Sequence, residues 1–472
     1  MKIEQIYTGC LAQGAYYIES EGQVAIIDPL REVKPYVEQA SKAGSTIRYV
    51  LETHFHADFV SGHLDLARQT GATIVYGPLA KPNFEAHIAT DGEELQLGSV
   101  KIRVLHTPGH TMESTCYLLL DETGKETALF SGDTLFIGDV GRPDLAQKAD
   151  LTMDDLAGYL YESLRTKIMT LPDDVTVYPG HGAGSACGKN MSKETTDTLG
   201  NQKLFNYALR ASMSKEEFIK EVTDGLLAPP QYFPQNVALN KQGYESIDTV
   251  LKRGGQALSP DAFEAAANET GALIIDTRPA QVFRQGFIPN SVNIGLGGQF
   301  APWVGTLVPD VKHNLLLVCE PGQEQEALTR LARVGYDQVL GFLAGGFGTW
   351  EASGKESDTL LSVSAESLAN RMAEGELEIV DVRKPGEFAA EHIAGVRNIP
   401  LEYLNDHMAE LPKNKTLFIH CAGGYRSMMA ASILRARGYE KLVDVTGGFD
   451  AIKKTGLFEI TDYVCPTTLK KA

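Results

Sequence analysis

Several things are scarce in this sequence, and each scarcity excludes something. No run approaches the ~18 consecutive apolar residues of a membrane span, and the opening MKIEQIYTGC lacks the apolar centre of a signal peptide. The expectation is a cytoplasmic protein without a membrane partner. Cysteine is sparse: six in 472 residues, at Cys10, Cys116, Cys187, Cys319, Cys421 and Cys465, with no CxxC pair. That spacing excludes a disulfide scaffold and points to mostly free thiols in a reducing compartment. Basic residues are outnumbered, 43 Lys plus Arg against 61 Asp plus Glu, for a net charge of −18. Such a balance argues against nucleic acid or an anionic membrane as partner. Low-complexity tracts are absent too, and 43% hydrophobic with 22% charged residues is the composition of a globular chain.

At about 100–200 residues per domain, the length suggests roughly three domains. Residues 1–230 alternate short apolar runs with loops and helical segments. The Pro-rich GLLAPPQYFPQNVALNKQGY, 225–244, reads as a connecting arm. Beyond it the chain repeats itself. LIIDTRPAQVFRQGFIPNSVNI matches EIVDVRKPGEFAAEHIAGVRNI, with Asp276 on Asp381, Phe283 on Phe388, Ile288 on Ile393 and Asn293 on Asn398, each 105 residues apart. LLLVCEPG then matches LFIHCAGG, and LAGGFGTW matches VTGGFDAI, at an offset of 102. Two copies of one unit are therefore expected, 246–357 and 360–465, each alternating strand and helix around a parallel sheet.

Four clusters of ligand-type residues in the first part each follow an apolar, strand-like run: IRYVLETHFHAD, VKIRVLHTPGH, TALFSGD and DVTVYPGH. Residues at the ends of several strands of one scaffold can converge. His54, His56, Asp58, His110, Asp133 and His181 are thus candidates for one metal site. THFHADFVSGH begins like the motif THxHxDH but carries Phe59 where a second-metal histidine is usual.

This constellation resembles the metallo-β-lactamase superfamily, which implies an αββα sandwich over residues 1–230. Within it, THxHADxxSG, HTPGHTMES, SGDTLFIGDVGRPD and YPGHG together resemble persulfide dioxygenases, relatives of glyoxalase II. The resemblance implies one Fe(II) per chain held by His54, His110 and Asp133. Two histidines and one carboxylate leave open positions for both a sulfur substrate and O2, whereas a zinc hydrolase needs only one, for water. His56, Asp58 and His181 then become outer groups that hold water or orient the ligands. In the resembling family the arginine matching Arg142 lines the thiol-substrate pocket; a structural arginine is the alternative. Cys187, close after His181, is either a sulfur carrier facing the metal cleft or a buried inert thiol.

TLFIHCAGGYRSMMAASILRARGY reads as strand, Gly-containing loop and helix. Backbone N–H groups of Ala422 to Arg426, including Gly423, Gly424 and Tyr425, can curl around the Cys421 sulfur; with the helix N-terminus and the Arg426 charge they favour thiolate. The loop, with DVRKPGEF and EHIAGVRNIP around it, resembles that of rhodanese sulfurtransferases. A phosphatase of the same fold has five residues between cysteine and arginine; here only four intervene. The resemblance implies that Cys421 takes the outer sulfur of a donor and passes it to sulfite or a thiol. In the first copy, VCEPGQEQEAL places Cys319 on Cys421 but Glu324 on Arg426, while Pro321 removes a loop N–H and Glu320 and Glu326 add negative charge. That copy is expected to be inactive.

The expected whole is α/β throughout, a metallo-β-lactamase sandwich followed by two rhodanese-like parallel-sheet domains. Its expected partners are a small-molecule persulfide, O2 and sulfite or thiosulfate; the identity of the thiol and any homo-oligomer are not legible. Two alternatives stand beside this: a zinc thioester hydrolase of glyoxalase II type with an appended rhodanese, and a non-enzymatic sulfur carrier or redox sensor.

Overall fold

The computed structural model describes residues 1–147 and 150–464; Cys465, expected as a free thiol and as the end of the last domain, lies outside the described residues. Backbone contacts gather the chain into two compact units. One comprises Met1–Val250 with Pro309–Val311 and Thr329–Tyr336, and the other the remaining residues from Leu251 onward.

The first unit is built on two six-stranded sheets. β1 (Lys2–Thr8), β2 (Gln13–Ser20), β3 (Gln23–Ile27), β4 (Thr46–Glu52), β5 (Thr73–Tyr76) and β6 (His87–Ile88) lie side by side in that order. β7 (Glu94–Leu97), β8 (Val100–His106), β9 (Thr115–Leu120), β10 (Glu126–Gly132), β11 (Thr176–Pro179) and β12 (Asp197–Thr198) form the other. Side chains alternate along a strand, so each sheet buries two faces. Tyr16, Ile18, Ala25 and Ile27 of the first sheet pack on Ile102, Val104, Tyr117, Leu119 and Phe130 of the second. The opposite faces are covered by helices. Ala15, Tyr17, Val24 and Ile26 meet Tyr36 and Ala40 of the helix Lys34–Ala43, and Leu118, Leu120 and Leu129 meet Ala157 and Leu160 of the helix Met153–Ser163. This is the expected αββα layering. It also explains why the inner strands read as continuous apolar runs: both of their faces are buried.

The second unit contains two five-stranded sheets of identical order. β13 (Ala257–Leu258), β14 (Leu273–Asp276), β15 (Val292–Asn293), β16 (Leu315–Val318) and β17 (Val339–Leu343) are arranged 13-17-16-14-15. β18 (Leu361–Val363), β19 (Glu378–Asp381), β20 (Arg397–Asn398), β21 (Leu417–His420) and β22 (Leu442–Val445) are arranged 18-22-21-19-20. All pairings are parallel. The repeat extends to side chains. Arg278 grips Asp276 and lies 4.3 Å over Phe347, while Arg383 grips Asp381 and lies 3.9 Å over Phe449. A buried arginine tied to a carboxylate and an aromatic face is a costly feature to place, and finding it twice marks duplication.

Candidate metal centre and cysteine loop

The candidate ligands sit just beyond the C-terminal ends of β4, β8, β10 and β11, where the strands release the chain into loops. Close approach requires glycine: a Cβ on Gly180 would lie 2.6 Å from Asp133 Oδ1, and Gly132, at φ +49°, faces Thr53 at 2.6 Å. His54, His110 and Asp133 are buried and offer three ligand atoms within 4.8 Å of one another. His54 Nε2 is 3.9 Å, and His110 Nε2 3.5 Å, from Asp133 Oδ2.

The rings are aimed by their other nitrogens. His110 Nδ1–H donates to the Arg142 carbonyl at 2.9 Å and His181 Nδ1–H to the Ala12 carbonyl at 3.2 Å. The Thr53 hydroxyl donates to Asp28 at 2.8 Å, so it accepts from His54 Nδ1–H at 2.9 Å. These bonds assign the tautomers and leave each Nε2 lone pair facing inward. Burial, reinforced by His56, His110 and His181, holds His54 neutral well below its ordinary pKa, the state a metal ligand needs. Among the described residues, both Asp133 oxygens and His181 Nε2 are buried with no hydrogen-bond partner. Buried polar atoms are rarely left so; the donor set fits a cation.

The remaining predicted residues divide. His181 Nε2 lies 3.4 Å from Asp58 and 3.6 Å from Asp133 Oδ1, so both outer groups adjoin the triad. Cys187 joins Asp58 and His181 in a second buried cluster, and burial, then the Asp58 and Asp133 charges, push its thiol well above the ordinary value. His56 points elsewhere: Nε2 is 3.0 Å from Asp28 and 3.5 Å from Glu52. Burial would push this imidazole down, but the Asp28 and Glu52 carboxylates carry it up to about 9. Its ring packs against His54 with centroids 4.2 Å apart, but its Nε2 is turned to the carboxylates. Phe59 is fully buried with its ring centroid 4.3 Å from that of His56, so a carbon ring occupies the expected place of another ligand. The Arg142 guanidinium is buried and engaged by Asp144 at 2.6 and 2.7 Å and by the Leu227 carbonyl at 2.5 Å, while its backbone carbonyl orients His110.

Sequence reasoning missed Asp28, Glu52 and Thr53. The signal available was the apolar run VAIID ending in an acid, like the runs that precede the other clusters.

In the second unit Cys421 follows directly on β21 and is buried. Gly424, at φ +102°, donates its N–H to Cys421 Sγ at 3.1 Å and opens the helix Tyr425–Ala436. The turn after β22 locks the loop from outside, since Phe449 N–H bonds the Cys421 carbonyl at 2.7 Å and Asp450 N–H the Ala422 carbonyl at 3.0 Å. Arg426 forms a two-pronged pair with Glu387, at 2.5 and 2.8 Å. Tyr425 donates its hydroxyl to the Gly295 carbonyl of the first copy at 2.7 Å. Cys319 likewise follows directly on its strand, but burial pushes its thiol up to about 12; Thr277 opposes this, and the Glu324 and Asp276 charges add to it.

Comparison with known proteins agrees with this geometry. The family described as Metallo-beta-lactamase superfamily matches residues 8–181, and the Rhodanese-like domain matches twice, at 259–353 and 364–455. A persulfide dioxygenase of Homo sapiens is 30% identical over 220 residues, covering 46% of this chain and 78% of that protein. The chain belongs to the metallo-beta-lactamase superfamily. Two tandem rhodanese-like domains follow the metallo-beta-lactamase domain. A probable hydroxyacylglutathione hydrolase of Schizosaccharomyces pombe is 32% identical over 166 residues, 34% of this chain, and the match spans 60% of that protein's length. A crystal structure of a metallo-beta-lactamase from Staphylococcus aureus superposes with a TM-score of 0.64 at 31% identity, covering 73% of this chain and 98% of that one. The comparisons thus show a metallo-beta-lactamase domain, whose His/Asp group could hold a metal, followed by two rhodanese-like domains. No helix among the described residues is long and apolar enough to cross a membrane.

Proposed function

We propose that the chain is an iron-dependent persulfide dioxygenase, domain 1–230, fused to an inactive rhodanese domain, 246–357, and an active one, 360–465. The observation that carries this is the triad of His54, His110 and Asp133, together with Phe59 at the sequence position where a second-metal histidine is usual. These three residues would hold Fe(II), and the chemistry it would supply is activation of O2 toward a persulfide sulfur. The chain does the rest. Thr53 and the Arg142 carbonyl hold the two imidazoles in the required tautomers, Asp133 supplies the anionic ligand, and Phe59 withholds the histidine a second ion would need. The products would be sulfite and free thiol. Cys421 attacks the outer sulfur of a donor, the S–S bond breaks, and the resulting cysteine persulfide passes its sulfur to sulfite or a thiol. One site's product is then the other's substrate.

The test is anaerobic purification, metal analysis and O2 uptake across a panel of low-molecular-weight persulfides. About one iron per chain and persulfide-dependent O2 uptake are expected. Iron-loaded protein that consumes no O2 with any persulfide yet cleaves a glutathione thioester would overturn the reading.

That second reading, a zinc thioester hydrolase, draws on the hydroxyacylglutathione hydrolase relative and on Asp58 and His181 lying beside Asp133. Phe59→His separates the two. If Phe59 excludes the second ion, the variant should rise from about one to about two bound ions per chain by elemental analysis. Exchanging a buried phenyl for imidazole costs about 1–3 kcal/mol, so melting should fall without added metal and recover with it. Two zinc ions already present in the unaltered protein would favour the hydrolase.

A further inference from the structure

We propose that Ser427 and Asp444 form a relay that takes up the Cys421 thiol proton, making Asp444 a positioning residue of the sulfur-transfer loop. The proposal rests on Cys421 being the sulfur-transfer nucleophile. Its basis is an unbroken buried chain of donors. The Cys421 thiol donates to Ser427 Oγ at 3.7 Å, and the Ser427 hydroxyl donates to Asp444 Oδ1 at 2.7 Å. Asp444 lies in the sheet itself, paired with Ile419 of β21 and with Ser362 of β18, and is 1% exposed.

Burying an acid in the middle of a parallel sheet is expensive unless hydrogen bonds compensate it. Ser427 and Ser362 supply those bonds, but the duplication speaks for a further role. At the 102-residue offset the first copy has Gln325 in place of Ser427 and Phe342 in place of Asp444. The copy whose cysteine loop has lost its arginine has lost both relay members as well. The sheet tolerates phenylalanine there, so the fold itself does not demand the acid.

The groups facing Asp444 are Ser427 from the helix, Ser362 at 3.3 Å from β18, and Arg284, whose charge reaches it. His420 on β21 is turned toward Asp381, 3.9 Å away. Burial pushes the Asp444 carboxyl up to about 6, with both hydroxyls and Arg284 opposing. It is therefore ionised at neutral pH yet more basic than an ordinary carboxylate.

In the relay step the proton leaves Cys421 Sγ for Ser427 Oγ as the serine's own proton passes to Asp444 Oδ1. Thiol becomes thiolate and carboxylate becomes acid, with no change in net charge. The hydrogen bonds reverse, so Ser427 now donates to the sulfur beside the Gly424 N–H. The thiolate then attacks the outer sulfur of the donor, and the electron pair of the broken S–S bond leaves with sulfite or a thiol.

A fixed carboxylate without proton transfer would do the opposite, repelling the thiolate. Carbamidomethylation of Cys421 by iodoacetamide in the full chain, followed by mass spectrometry between about pH 5 and 9, reads the thiolate directly. The unaltered protein should gain reactivity as pH rises through about 6. Asp444→Asn should lose that limb, react at least about tenfold more slowly at pH 7, and converge with the unaltered protein at the alkaline end. Ser427→Ala, which keeps the carboxylate but cuts the link, should behave alike. Asp444→Asn reacting as fast or faster at pH 7 overturns the relay. Should that variant not fold, Ser427→Ala reacting at the unaltered rate overturns it. Failure of the protein to turn over thiosulfate or persulfide would instead strike the sulfur-transfer reading, because alkylation needs no sulfur donor.

Discussion

Asp133→Asn is expected to strip the metal centre and abolish O2 uptake while leaving sulfur transfer at Cys421 intact. Asp133 is the one anionic member of the triad, with Oδ2 facing His54 and His110 and Oδ1 facing His181, and among the described residues neither oxygen has a hydrogen-bond partner. An asparagine of the same shape leaves neutral imidazoles and an amide around the cation. Loss of an outer partner already costs about 10–100-fold in metal affinity, so loss of the charged ligand should exceed 100-fold. Elemental analysis after dialysis should show a nearly empty site.

Melting provides a second, independent sign. An ion bound at 100 times its dissociation constant stabilises the native state by about 2.7 kcal/mol. Chelation should therefore lower the melting point of the unaltered protein and leave Asp133→Asn unmoved. Without metal the variant should be at least as stable as the parent, because a buried unpaired carboxylate has been removed. A variant that retains a full complement of metal, or one destabilised even in chelator, would place Asp133 in a structural role.

The residues visible in the sequence are those whose chemistry is local. His54, Asp58, His110, Asp133 and His181 each follow an apolar run directly, and a strand end fixes where such a residue points. The Cys421 loop was legible for the same reason, and duplication supplied an internal comparison that exposed Glu324 in the first copy. What stayed hidden depends on partners distant in the chain. Asp28, at φ +48°, acts because Thr53 and His56 come to it across the first sheet. His56 belongs to the same motif as His54 yet turns to Asp28 and Glu52, an orientation that no HxH spacing specifies. Arg426 was expected at the sulfur; Glu387, from another helix, holds it in a pair. The charges acting on Cys319 are Glu324 and Asp276, the second from a neighbouring strand rather than from the cysteine loop.

Cys421→Ser should change the sulfur product from thiosulfate to sulfite without slowing O2 uptake. The substitution keeps the loop volume and the Gly424 N–H contact but replaces a thiol by a hydroxyl that neither ionises near neutral pH nor accepts sulfane sulfur. Removing a covalent nucleophile costs far more than removing a positioning group, and transfer should fall at least about a thousandfold. Rescue by the first copy is not expected. Cys319 is buried with its thiol pushed up to about 12, and Glu324 stands where the second copy has Arg426. Ion chromatography of the products, with persulfide as the sole sulfur source, reads the outcome. Residual thiosulfate in Cys421→Ser that disappears in Cys421→Ser/Cys319→Ser would show the first copy to be active after all. Thiosulfate surviving in both would move its origin to the metal centre, where the Cys187 thiol stands beside Asp58 and His181.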